Sequence, residues 1–331
     1  MFTSAPASVS TPPARPDWNT FMSTPSASRL AYLLLAATAL FWGGNAVAGK
    51  LAVGHIPPMT LTAVRWTMAF LVILAIGFPQ FRKEWPQAKK ALPLLLALGA
   101  AGFSIFNLTL YSALKYTSAI NVTIEQSGMP AIIFVANFLL FGMRAGPVQI
   151  LGFILSIVGV AVVASGGDPA RLAALDINRG DAIMLIAVIA YGGYSVALRY
   201  KPALDWRTLM VVMAFSAMVT SWPFALWEQQ SASGYAPDMT GLAVAAYTAV
   251  FPSILSQVFY IRGVDLIGSN RAGLFINLVP VFGTLLAIVI LGERFHLFHA
   301  VALALVIGGI WLTERGAGKS AKTVKANKSG R

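Results

Sequence analysis

The sequence predicts an all-α membrane protein of ten transmembrane helices, arranged as two inverted five-helix repeats. Three observations lead there. Of the 331 residues, 57% are hydrophobic and only 11% charged, whereas a soluble globular domain carries roughly 25% charged residues. Apolar stretches of about 18 to 25 residues recur along the chain, each long enough to cross a hydrocarbon core about 30 Å thick. Residues near the start and end of the first half also match residues about 150 positions later.

Each element follows from the absence of water in a bilayer core, where backbone groups must pair within the spanning structure, as helices or as closed barrels. The stretches are continuously apolar and too long for barrel strands, so helices are expected. They run at about 30–52, 60–78, 92–113, 117–141 and 147–165, then at about 180–200, 207–227, 240–261, 267–291 and 296–313. Pro and Gly mark the joints at Pro57-Pro58, Pro79, Gly146-Pro147, Gly166-Gly167, Pro202 and Pro237. The domain reading is a disordered cytoplasmic tail over 1–28, repeats over 30–165 and 180–313, and a basic cytoplasmic tail over 314–331. The connections are short, so any function is housed among the spans.

The net charge is +12. Its basic residues gather between or beyond the apolar stretches, at Arg82, Lys83, Lys89 and Lys90 and at Lys319, Lys322, Lys325, Lys328 and Arg331. That is the positive-inside pattern, and it places both termini in the cytoplasm and the protein in the cell inner (plasma) membrane. The basic tail then faces anionic lipid, and no nucleic-acid partner is implied. The chain has no cysteine, which excludes disulfides and thiolate metal sites.

The halves repeat each other. Trp42, Gly43, Gly44, Val47, Ala48 and Lys50 are matched by Tyr191, Gly192, Gly193, Val196, Ala197 and Arg199, a shift of 149. Pro130, Gly142, Arg144, Gly159 and Gly166 are matched by Pro280, Gly292, Arg294, Gly309 and Gly316, a shift of 150. Five helices are an odd number, so the second copy enters the membrane from the opposite side. Secondary transporters commonly have this architecture, with the substrate site near the midplane at the repeat interface.

These residues resemble the drug/metabolite transporter superfamily, in particular its EamA-type members. Trp42-Gly43 with Lys50, then Pro58 and Arg65, is similar to the family's first- and second-helix signature. The stretch from Leu114 to Ala119, followed by Pro130 and Gly142, resembles its third-to-fourth helix segment, and Pro280-Val281-Phe282 with Leu291 to Arg294 resembles the same element in the second copy. Two departures stand out: Met143 replaces the usual Glu in the first copy, and Val264 to Gly268 replace the Lys-Tyr-Thr-Ser pattern in the second. The resemblance implies a ten-helix transporter that exports or exchanges small metabolites such as amino acids.

Glu125 is the leading candidate for chemistry. A carboxylate within a transmembrane helix costs about 2.5–3.5 kcal/mol on insertion scales, so it lines a cavity or pairs. Burial disfavours its ionised form, which makes it a candidate proton carrier or a partner for a cationic group. The bland alternative is an ion pair with Arg65, at similar depth on the second span. Asn45, Arg65, Asn107, Tyr111, Asn121, Gln126, Gln257, Tyr260 and Asn277 are further substrate-binding or coupling candidates, with Asn107 and Gln257 matched at a shift of 150. Intramembrane amides also serve as glue between helices, at about 0.6 kcal/mol each. Trp42, Tyr191 and Tyr194 offer ring faces to an apolar or cationic solute, or pack beside Gly43 and Gly192. Pro130 and Pro280 predict kinks, used for gating or for packing alone. Lys50, Arg199 and Arg271, near span ends, are expected to reach the headgroups.

Other motifs carry less. Gly44 to Lys50 opens like a phosphate-binding loop, but Leu51 stands where a Ser or Thr would hold magnesium. The sequons at Asn107 and Asn121 fall within spans. His55, His296 and His299 lack a supporting carboxylate for a metal site. No cofactor is implied, and monomer and homodimer both stay open. The preferred reading is therefore a secondary transporter of amino-acid-like or amphipathic solutes, an exporter working by alternating access, with a proton as the simplest coupling ion. The alternative is an intramembrane enzyme acting on lipid or a small amphipathic substrate, against which the spans lack a Ser/His pair or a paired-carboxylate motif.

Overall fold

The structure, a computed structural model, describes residues 25–142, 146–168, 170–171, 177–232 and 234–329. Most of the 1–28 tail, Met143 and Arg144 lie outside the described residues. All regular structure among the described residues is helical. The helices are α1 (Pro25–Leu51), α2 (Pro58–Ala88), α3 (Leu92–Gly99), α4 (Phe106–Ala113), α5 (Ala119–Gln126), α6 (Met129–Phe141) and α7 (Pro147–Ala164). They continue with α8 (Arg179–Ala197), α9 (Trp206–Gln230), α10 (Met239–Thr248), α11 (Ser256–Ile267), α12 (Ser269–Gly273), α13 (Val279–Leu291) and α14 (Leu297–Ser329).

Among the described residues, eight helical stretches are long and apolar enough to cross a membrane. One of them, Pro58–Ala113, has 56 residues, which at 1.5 Å per residue would be more than twice the thickness of a bilayer core. It folds back on itself at the 3₁₀ turn Lys89–Ala91, since Arg65 and Trp66 of α2 touch residues 103–111. Leu297–Thr313 is a shorter apolar helix. Pro79 does not end α2, contrary to its reading as a joint; the helix runs on to Ala88. Most residues of that extension are exposed, so water can satisfy the backbone groups that a proline frees.

Two interruptions recur along the chain. A π-helical segment, Ala100–Ile105, separates α3 from α4, and a second, Ala249–Leu255, separates α10 from α11. The helix carrying Glu125 stops at Gln126, turns at Ser127–Gly128 and restarts with Pro130 in its first turn. The helix carrying Pro280 restarts in the same way after the 3₁₀ segment Leu274–Leu278. Both prolines thus sit where their missing N–H costs nothing, and both 13-residue helices end on a left-handed glycine, Gly142 and Gly292.

Small residues set the packing. A Cβ on Gly43 of α1 would come within 2.7 Å of the Gly283 nitrogen in α13. One on Gly152 of α7 would come within 2.4 Å of the Gly309 oxygen in α14. Glycine at these crossings lets backbones touch, which drives helix association where lipid offers no hydrophobic gain.

Candidate functional site

Arg65 lies two turns into α2 and is 4% exposed. Its Nη1 donates to Asn45 Oδ1 of α1 and to Asn107 Oδ1 of α4, each at 2.8 Å, and to the Tyr111 hydroxyl. Its Nε donates to Ser253 Oγ at 2.9 Å, in the second π segment. The acceptors are themselves fixed. Asn107 and Tyr111 are four residues apart on one helix face; Asn107 Nδ2 is tied to Phe103 O, and Tyr111 donates to Asn45 Oδ1. Ser253 donates to Thr248 O, five residues back, so the wide π turn sets its hydroxyl lone pairs toward Arg65.

Every one of those partners is neutral. A buried guanidinium ordinarily takes a carboxylate, yet Arg65 forms no ion pair among the described residues, and its Nη2 has no hydrogen-bond partner there. Trp66 and Tyr111 present their rings at 5.2 and 5.8 Å from the guanidinium. Tyr111 also walls a cavity of about 220 Å³ with Gly49, Ile56, Leu61, Lys115 and Tyr235. Arg65 itself is not among the residues lining that cavity; Tyr111 stands between the two.

Glu125 presents the opposite case. It is 0% exposed, and neither carboxyl oxygen has a hydrogen-bond partner. The Arg65–Glu125 pair allowed by the sequence does not form, because the guanidinium is engaged by amides and hydroxyls. An ionised carboxylate without donors costs several kcal/mol in such surroundings, and a bound proton or cation removes that cost.

Other predicted residues separate into groups. Asn121, on the same face as Glu125, donates from Nδ2 to Thr117 Oγ1 and to Asp181 Oδ1, and its Oδ1 meets His299 Nε2. Trp42 donates to Pro252 O and lies 5.7 Å from Tyr260, where both line a small crevice. Tyr191 and Tyr194 pack against Phe106 and Phe103. Gln126 Nε2 donates back to Val122 O, one turn earlier on its own helix. Gln257 and Asn277 do not join the Arg65 group; in the second half it is Ser253, not the Gln257 matched to Asn107, that reaches the cation.

Lys50 does not reach for headgroups. Its Nζ donates to Leu114 O and Thr117 O, at 2.8 and 2.7 Å, capping carbonyls at the end of α4. Glu293 accepts from the Ala119 and Ile120 N–H groups at the start of α5, where a carboxylate complements the helix dipole. Glu228 does the same for Met59 and Thr60 at the start of α2. Arg199, an exposed residue, lies over the Phe141 ring. Sequence reasoning missed Ser253, Asp181, Thr117 and Glu228 as partners and set His299 aside. Asp181 carried a weak signal as an acid at a span start, a position where acids are ordinary.

A family profile described as the EamA-like transporter family matches residues 29–165 and again 178–315. Among curated relatives, the uncharacterized transporter YetK of Bacillus subtilis (strain 168) is 27% identical over 285 residues, covering 86% of each chain. An uncharacterized transporter of Archaeoglobus fulgidus is also 27% identical, over 85% of this chain and 96% of its own. A solved structure titled only as the crystal structure of a protein superposes with a TM-score of 0.57 at 21% identity, covering 88% of this chain and 96% of its own, and so shares the fold. Eight apolar helical stretches and these relatives make this a multi-pass membrane transporter, in a bilayer and acting on small molecules, and point away from an enzyme. The chain belongs to the EamA-like transporter family.

Proposed function

We propose that the protein is a secondary transporter that exports amino-acid-like or amphipathic solutes across the cell inner (plasma) membrane, coupled to protons, by alternating access. The observation that carries this reading is Arg65: a buried cation held by neutral groups from α1, α4 and the second π segment, with Nη2 left over. In this reading Nη2 receives the solute's carboxylate, and Glu125 supplies the matching acid for a proton or an ammonium group. Ten crossings are proposed, counting both arms of Pro58–Ala113 and the helix Leu297–Thr313. The twofold family match, the paired π segments and the paired breaks before Pro130 and Pro280 support two five-helix units of inverted orientation, over 30–165 and 180–313. The breaks are the proposed hinges, and the basic loops and tails support a cytoplasmic placement of both termini.

Counterflow in proteoliposomes tests this reading. Vesicles loaded with an unlabelled amino acid are expected to accumulate its labelled form, to reject the corresponding amide, and to lose accumulation with Arg65→Gln. Equal transport of acid and amide would remove Arg65 from the site, and chemical conversion of the solute would overturn transport itself.

A further inference from the structure

Glu125 and Asp181 are two buried carboxyl groups, on α5 and α8, and Asn121, one turn before Glu125 on the same helix face, reaches Asp181 Oδ1 at 3.5 Å. Their hydrogen bonding differs. Asp181, 2% exposed, sits at the receiving end of a hydrogen-bond chain whose donors all point one way. The His296 backbone N–H donates to His299 Nδ1, which leaves the ring proton on Nε2. That Nε2–H donates to Asn121 Oδ1, at 3.2 Å. Asn121 Nδ2 then donates to Thr117 Oγ1, and Thr117 Oγ1 donates to Asp181 Oδ1. Glu125, four residues along the same helix from Asn121, receives no donor at all.

We propose that Glu125 and Asp181 form one proton-binding site holding a single proton, and that the directed chain from His299 places that proton on Glu125. Donors stabilise the charged form of one carboxyl, and a like charge alongside disfavours ionisation of the other. Two carboxyls that interact this way titrate as a pair. Because α5 belongs to the first matched stretch and α8 to the second, any motion between the stretches changes the Glu125–Asp181 spacing. Separation removes the like charge and lets Glu125 release its proton, which ties proton release to the conformational step. His299 and Asn121 are positioning residues in this scheme. The other charged or titratable groups on the surrounding elements include Lys50, Tyr111, Arg179, Tyr191, Glu293 and His296, and Arg171, whose cation also favours the charged form of Asp181.

The inference rests on the proton-coupled reading above, but its test needs no solute. Infrared difference titration of the full chain in lipid vesicles reads the carbonyl stretch of a protonated carboxyl directly. The wild type is expected to show one such buried band, absent in Glu125→Gln. In Asp181→Asn the band should persist and titrate about one pH unit or more toward acid, since the neighbouring charge is gone. His299→Leu and Asn121→Leu should split the proton between two carboxyls, giving a second band, while His299→Gln, which keeps an N–H donor, restores one. Asn121→Leu keeps the test open if Asp181→Asn does not fold. A band that survives Glu125→Gln, or variants at Asp181 and Asn121 that both titrate like wild type, would overturn the shared site. Absence of solute counterflow would instead overturn the transport reading and leave the band unaffected.

Discussion

Two buried charges in one membrane protein are handled in opposite ways. Arg65 is surrounded by acceptors on three other elements, with four hydrogen bonds from two of its nitrogens. Glu125 is more deeply buried and has none. Hydrogen bonds to a charged group contribute about 1.5–3 kcal/mol each, so the Arg65 region is held rigid by its polar contacts. The Glu125 carboxyl itself is held by packing, with Gly283 against Thr123 and Val160 against Gly128 on either side of it, while the polar contacts of α5 gather at its other end. A fixed charge suits recognition, and a charge without partners suits binding and release of a proton.

The largest effect that would sharpen this contrast is expected at Arg65. Arg65→Gln should lower the unfolding stability by about 3 kcal/mol or more, because several buried acceptors lose their donor, and should abolish counterflow. Thermal unfolding in detergent reads the first effect. Gly283→Ala comes next, with a loss of about 1–3 kcal/mol from overpacking; its Cβ would lie 2.3 Å from Thr123 Cγ2. Lys50→Met should cost about 1–2 kcal/mol by uncapping two carbonyls, a loss that a headgroup-facing lysine would not show.

Glu125→Gln should leave unfolding unchanged within about 0.5 kcal/mol, since no partner is lost. A large destabilisation there would erase the contrast. The smallest effect belongs to the exposed pair His55–Asp238, 2.7 Å apart. The hydrogen bond from His55 holds the Asp238 carboxyl below its usual range. Its contribution is therefore present above the ordinary Asp value and lost as pH falls through the lowered one. Asp238→Asn should shift the melting temperature at neutral pH by no more than the scatter of repeat scans.

Much of the fold was legible because the bilayer forces it: long apolar runs cannot be anything but helices, and Gly142 and Gly292 announce matched helix ends through the residue type that the left-handed conformation favours. The π segments were not legible, since Ala100–Ile105 and Ala249–Leu255 read as ordinary apolar helix. At the candidate site, Asn45, Arg65, Asn107 and Tyr111 stood out as polar groups in apolar runs, and the structure brings all four together. Ser253 did not, because a lone serine in a helix usually bonds its own backbone. Lys50 was misread for a related reason: a basic residue at a span end looks the same whether it meets lipid or the carbonyls of a neighbouring helix. Which charge takes which partner depends on helix rotation and crossing, and a sequence without those angles leaves Arg65–Glu125 as plausible as the arrangement found.

The most direct test of the division between the two charges is amino-acid-dependent proton movement in proteoliposomes, read with a trapped pH dye, for wild type and Glu125→Gln. The expected result is that the wild type moves protons with an amino acid, while the Gln variant moves none yet still exchanges labelled for unlabelled solute. A Gln variant that moves protons as well as the wild type would make Glu125 a structural residue and contradict the account.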